Sequence, residues 1–191
     1  RTRGNLIVFN RMKKYKNYGE DWPDKWWFIM FNTKKDLIDN GFEGFVSVKD
    51  LWNDKSMIPK QMGVYMVLNM ESNVEFVNPG VGGFFKGKDP NVDIPQLKEK
   101  YVDSTVVYIG KAGSSSSKAT LFSRLGQYLG FGQTKNIGHY GGRYIWQLKN
   151  HEDLLFCWKP LNDEEPIVLE KELLSLFKEE FGKLPFANLV G

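Results

Sequence analysis

Six side chains of types that carry chemistry occur in a fixed order: Tyr65, Tyr108, Arg124, Tyr128, Glu170 and Asn188. The two tyrosines sit in strand-like tripeptides, Gly63-Val64-Tyr65 and Tyr108-Ile109-Gly110. Alone, each tripeptide is better explained by an apolar strand core that carries a tyrosine. Glu170 asks for more. Winding its segment at roughly 100° per residue gathers Leu169, Leu173, Leu174, Phe177 and Phe181 into one apolar sector, and Glu170 falls inside it. Glu172 lies at the sector's margin and Glu179 on the polar side. A carboxylate turned towards an apolar interface is costly unless it meets a cation, hydrogen-bond donors or a metal ion. Glu170 is therefore either half of a structural ion pair, with Arg124 or a lysine, or a metal ligand. Arg124 and Tyr128 are four apart on another helical stretch and share one face. Hydrolysis of a phosphodiester needs activated water, neutralised phosphoryl oxygens and a stabilised leaving alkoxide. The ordered set contains the residue types for that task.

The elements that must position these groups can be read from periodicity and punctuation. Gly63 to Leu68 and Thr105 to Ile109 read as strands of one sheet. Thr120 can cap a helix with the stripe Leu121, Leu125 and Leu129, ended by Gly130 or Gly132. After the Gly141-Gly142 break, Arg143 to Leu148 and Leu154 to Trp158 are expected as two antiparallel strands. A strongly periodic helix follows, from about Ile167 to Glu180, stopped by Gly182 and Pro185. Nearer the start, Lys34 to Asn40 reads as a short helix stopped by Gly41, and Phe45 to Val48 as a short strand. The fold class expected is α/β of the α+β kind, a small central and mainly antiparallel sheet flanked by the Arg124 and Glu170 helices.

A chain of 191 residues with 41% hydrophobic content can build one good-sized core. Residues 1–60 are expected as an aromatic-rich extension packing on a main domain of residues 61–191, which carries an insert at about 71–104. Trp22, Trp26, Trp27 and Trp52 in the extension suit a satellite core; base stacking is the alternative use. In the insert, Gly80-Val81-Gly82-Gly83 and Lys86-Gly87-Lys88 suggest a phosphate cradle, but no Gly-Lys-Ser/Thr follows, so a flexible or hairpin loop is expected. Ser114 to Ser117 are too polar and flexible for a regular element, and Lys118 closes their loop.

The formal charge of +3 permits a nucleic-acid partner without demanding one. Cys157 is the sole cysteine, which excludes an internal disulfide or a cysteine-based zinc cluster and fits a reducing compartment. No apolar run approaches membrane-spanning length, so no membrane is expected and a cytoplasmic location is the default. With two histidines, zinc-centred and His-Asn-His nucleases lack their ligands.

Taken in order, Gly63-Val64-Tyr65, Tyr108-Ile109-Gly110-Lys111-Ala112, Arg124, Tyr128, Leu169-Glu170 and Pro185 to Asn188 resemble the GIY-YIG nuclease superfamily, over about residues 61–191. That superfamily includes homing endonucleases, some restriction enzymes and an excision-repair nuclease. The chain departs from its pattern in the long stretch between Tyr65 and Tyr108 and in the stretched interval from Glu170 to Asn188. The resemblance implies a DNA endonuclease, of restriction or mobile-element type, with one divalent cation, Mg²⁺ or else Mn²⁺, bound by Glu170. It implies that Arg124 contacts the scissile phosphate and that Tyr65 and Tyr108 line the same pocket. Tyr108 is favoured as base and Tyr65 as support. A free tyrosine titrates near ~10, so positive charge from Lys111, Lys118, Arg124 or the metal has to lower it.

Restriction branches of the superfamily also carry a stretch similar to His139-Tyr140-Gly141-Gly142-Arg143. His139 then assists proton transfer or grips phosphate, or it is a hydrogen-bonded structural histidine in a glycine turn. Tyr128, Arg143 and Asn188 are expected to bind substrate, and His151 to be solvent-exposed. The partner implied is double-stranded DNA, and a homodimer would suit double-strand cleavage. The competing readings are a nucleic-acid-binding module that does not cut, and a structural protein whose aromatic start docks a partner.

Overall fold

The computed structural model describes residues 33–190, so Trp22, Trp26 and Trp27 lie outside the described residues. The Thr33 side chain caps helix α1 (Lys34–Asp39) through the Asp36 amide. Gly41, at φ 82°, then turns the chain into strand β1 (Glu43–Ser47). The Ser47 hydroxyl caps the short helix α2 (Val48–Asn53) in the same way. Strand β2 (Gly63–Leu68) follows, and the insert after it carries helix α3 (Ile94–Lys100). Next come strand β3 (Val106–Ala112) and helix α4 (Leu121–Gly132), the latter closed by a reciprocal capping box between Thr120 and Ser123. Strand β4 (Leu155–Pro160) leads to helix α5 (Pro166–Phe181), which opens on a proline and stops at Gly182, at φ 74°.

The fold is α+β. One four-stranded sheet, in the order β1-β4-β2-β3, is antiparallel throughout. Every residue of β2 is buried, as befits a strand with a neighbour on each side and a layer on each face. Tyr65, Val67 and Tyr108 point to the α4 side and pack with Leu121, Leu125 and Phe156. Val64, Met66 and Ile109 point to the other side and pack with Leu169, Leu173 and Phe177 of α5. The apolar stripes read from sequence on the two long helices are the stripes that meet the sheet.

Two expectations need correction, while Trp52 packs as expected. Residue 60 is no boundary: β1 is hydrogen-bonded to β4, and Val48, Leu51 and Ile58 belong to the same core as Tyr65. Trp52 stacks on Trp146 at 6.2 Å and donates to the Leu129 carbonyl at 3.1 Å, so it packs the core. Arg143 to Leu148, expected as a strand beside β4, fall instead largely within a 3₁₀ segment, Tyr140–Gln147. Tyr144, Ile145, Trp146 and Gln147 are buried in succession, which the two-residue alternation of a half-buried strand does not allow. Their partner is the insert: Val77 and Val81 amides donate to the Gln147 and Trp146 carbonyls, while the Gln147 amide donates to Val77 and Val92 carbonyls at 3.1 and 2.8 Å.

The same contacts settle the glycine-rich stretch, which is a docked strap and no hairpin. Gly80 is held by Asn91, and a 3₁₀ turn at Phe85–Gly87 follows. The serine loop is also more ordered than its composition suggests. Ser114 pairs with Ser117, and the Ser115 amide donates to the Glu165 carboxylate at 2.8 Å. Among the described residues no helix is long and apolar enough to cross a membrane.

Candidate active site at the β2–β3 ladder

Strand register explains why the two tripeptides belong together. Tyr65 lies opposite Gly110 and Val67 opposite Tyr108, so the tyrosines are diagonal neighbours on the α4 face, with ring centroids 5.9 Å apart. A Cβ on Gly110 would stand 2.7 Å from Tyr65 Cζ and 2.7 Å from Tyr108 Cε1. Glycine there is the room that the Tyr65 phenol occupies. Tyr128 joins from α4, 5.3 Å from the Tyr108 ring and 6.3 Å from that of Tyr65. His139 stacks on Tyr128 at 3.8 Å and 19°.

Arg124, one turn before Tyr128, is half-buried, and the only hydrogen bond of its guanidinium among the described residues is a long one to Gln127, at 3.4 Å. Glu170, on α5, is half-buried as well, with no hydrogen bond or ion pair among the described residues. The structural ion pair with Arg124 or a lysine is thus not formed. Burial pushes the Glu170 carboxyl above the ordinary carboxylate range, and Lys111, Arg124 and Lys171 pull it back. Arg124 also acts on Tyr65, Tyr108, Tyr128 and His139, and Glu170 acts on Tyr65 and Tyr108. One free guanidinium and one free carboxylate therefore share a neighbourhood with both strand tyrosines, although their helices lie on opposite faces of the sheet.

Burial reverses the expected direction of the tyrosines. Tyr65 is 0% exposed, and burial holds it well above its ordinary value, with Tyr108 adding to the rise and Arg124 opposing it. Tyr108 is 8% exposed and is raised by burial too; a loose approach of the Tyr65 hydroxyl, outside good hydrogen-bond geometry, and Arg124 pull it down. Of the three cations expected to lower these groups, only Arg124 acts on them. Lys111 acts on Glu170 and Glu165 through its charge, without an ion pair among the described residues, and Lys118 is exposed on the serine loop.

Three residues expected to bind substrate are otherwise engaged. The buried Tyr128 hydroxyl donates to the Gly142 carbonyl at 2.6 Å, and a Cβ on Gly142 would collide with that hydroxyl. The pair clamps the 139–142 turn against α4. Asn188 is buried; it accepts from the Ile109 amide at 2.9 Å and donates to the Ile109 carbonyl at 2.8 Å. Because β3 is an edge strand, these two backbone groups have no strand partner, and the asparagine amide replaces one. Arg143 is half-buried, its guanidinium 3.9 Å from the Tyr140 ring and 4.8 Å from that of Tyr144.

His139 is brought to the cluster but not as a hydrogen-bonded turn histidine. Both ring nitrogens are buried without a partner, and burial, then Arg124, keep the ring neutral far below its ordinary range. His151 is half-buried rather than exposed, with Nδ1 3.0 Å from the Leu148 carbonyl and its ring near Trp52 and Trp146.

Among the described residues there is no group of three or more His, Cys, Asp or Glu able to hold a metal. A lone free carboxylate still fits Mg²⁺, which keeps most of its waters and takes further oxygens from a phosphate substrate. The spare capacity of Glu170 is the observation that makes that fit. No protein-family model matches the chain, and no curated protein or solved structure shows significant similarity to it.

Proposed function

We propose that this chain is a metal-dependent DNA endonuclease of the GIY-YIG type. The observation that carries this reading is the free, half-buried pair of Arg124 and Glu170 beside Tyr65 and Tyr108. A purely structural cluster has every reason to pair those charges, since an uncompensated half-buried ion is costly.

Arg124 holds the scissile phosphate, whose two oxygens suit its planar fork. Glu170 binds one Mg²⁺ or Mn²⁺, which when present supplies positive charge to the phosphoryl oxygens and the leaving alkoxide. Tyr108, the less enclosed of the two tyrosines, takes the proton of the attacking water. Tyr65, wholly enclosed, supports the Tyr108 ring by packing beside it. Since burial raises Tyr108, the fraction able to accept a proton grows with pH. One such site cuts one strand, so duplex cleavage at a fixed point suits a pair of chains.

A plasmid-nicking assay with Mg²⁺ tests the reading. Wild type should nick, and Glu170→Gln and Arg124→Ala should each lose roughly 10²- to 10³-fold or more in rate. Equal cleavage by all three would refute the assigned roles. Binding of DNA with no cleavage by wild type would favour a binding module on this fold.

A further inference from the structure

The insert between β2 and β3 is absent from the chemistry above, yet it is docked beside it. Tyr140 donates from its hydroxyl to the Asp89 carbonyl at 2.9 Å, the Lys86 amide donates to Asn136 Oδ1 at 3.2 Å, and the Phe85 ring lies against Gly138. Residues 84–89 are thus fixed along residues 135–140, the approach to His139, whose ring is 6.5 Å from that of Tyr108. The strap and the active-site cluster form one continuous wall.

What this wall presents is basic. Lys86, Lys88 and Lys135 are exposed, and none forms an ion pair with a carboxylate among the described residues. The nearest acid in sequence, Asp89, accepts from the Asn91 amide and side chain and pairs with none of the three, so three cations stand against one anion. Lys86 is held at φ 54°, a left-handed conformation that a non-glycine residue adopts only when its surroundings impose it. Phe84 beside it is 55% exposed, a large apolar ring that the core does not use. Three unneutralised lysines with a bare aromatic, held in a strained turn next to the catalytic cluster, are a poor device for packing and a good one for gripping a polyanion.

We propose that the strap Phe84–Lys88, with Lys135, is the surface that holds duplex DNA against the active site. It rests on the nuclease reading and adds to it. The three lysines contact backbone phosphates on the same side of the scissile bond, and Phe84 packs against a sugar or enters the minor groove.

The test is binding without cleavage: the whole chain with a chelator and a fluorescent duplex oligonucleotide, titrated from about 50 to 300 mM salt. Each phosphate contact contributes about 0.9 to the log–log salt slope, so Lys86→Gln/Lys88→Gln/Lys135→Gln should flatten it by roughly 2 to 3 and weaken binding about tenfold or more. Phe84→Ala should weaken binding with the slope unchanged. A control triple at Lys35, Lys171 and Lys178 should bind within about twofold of wild type, as those lysines sit on α1 and α5 and not on the strap. All the altered side chains are exposed, so thermal midpoints should match wild type.

Three results overturn the proposal. If wild type binds and nicks duplex DNA but the strap triple keeps its affinity and slope, the strap is not the grip and the nuclease reading stands. If wild type fails to bind duplex DNA even at low salt, both fall. If single-stranded DNA or duplex RNA binds more tightly through the same lysines, duplex DNA is the wrong occupant.

Discussion

Asn188→Ala separates a structural role from a catalytic one. Removing the amide leaves the Ile109 N–H and C=O without partners, both in a buried setting. An orphaned buried donor or acceptor costs about 1 to 3 kcal/mol, so the pair costs about 2 to 5 kcal/mol, with some relief if water enters. Total stability for a domain is roughly 5 to 15 kcal/mol, so this is a large share of it. At about 2 to 4 °C per kcal/mol for a chain of this size, the thermal midpoint should drop by roughly 5 to 15 °C. Tryptophan fluorescence during urea unfolding gives the free energy, and hydrogen exchange at the Ile109 amide reports the site itself. Asn188→Asp should be only partly better, since a carboxylate accepts from the amide but repels the carbonyl. At a temperature where the Asn188→Ala variant is still folded, nicking should fall no more than the folded fraction does. Unchanged stability with lost cleavage would refute this reasoning and return Asn188 to the substrate.

Gly110→Ala should destabilise by about 1 to 3 kcal/mol, read by urea unfolding, because the new methyl has to displace two enclosed phenol rings. Glu170→Gln should abolish nicking while leaving the thermal midpoint unchanged or higher, since the carboxylate is raised by burial and has no partner. His139 is kept neutral in the folded chain but takes up a proton when unfolded below about pH 6.5. Unfolded molecules then bind more protons than folded ones, so stability should fall as pH drops through 6.5, and His139→Phe should flatten that decline in urea titrations. Tyr65 and Tyr128 have the opposite sense. The folded state retains protons that the unfolded state releases above about pH 10, so stability should fall as pH rises past 10, and Tyr65→Phe should lessen the loss.

The parts of the fold written in local sequence were legible before any coordinates. Thr120 as a cap, Gly182 as a stop and the apolar sectors of α4 and α5 depend on neighbours within a few residues, and each is found where spacing puts it. The class of the sheet was legible for the same reason. What escaped depends on distant partners. Asn188 meets Ile109 across 79 positions, and Gln147 meets Val92 across 55, contacts for which no local pattern exists. The 3₁₀ segment 140–147 looked like a strand because its composition is aromatic and β-branched, whereas its backbone is claimed by the insert. Types and order singled out Tyr65, Tyr108, Arg124 and Glu170, and the fold brings the four within electrostatic reach of one another. Burial was the missing quantity: it engages the Tyr128 hydroxyl and the Asn188 amide inside the fold and turns the tyrosine shift upward. Gly110 and Gly142 carried a clue in their identity, since a glycine facing a large ring marks a close approach.

The strand order has a consequence in time. β1 and β2 are the first two strands of the sheet to be made, yet β4 lies between them. The sheet therefore stays split until residues 155–160 arrive, and the outer edge of β3 stays open until residue 188 does. Such late closure, with partners so far apart, predicts slow folding. The tyrosine pair can form early as a ribbon of β2 and β3, before Glu170 joins from α5 and Asn188 closes the outer edge.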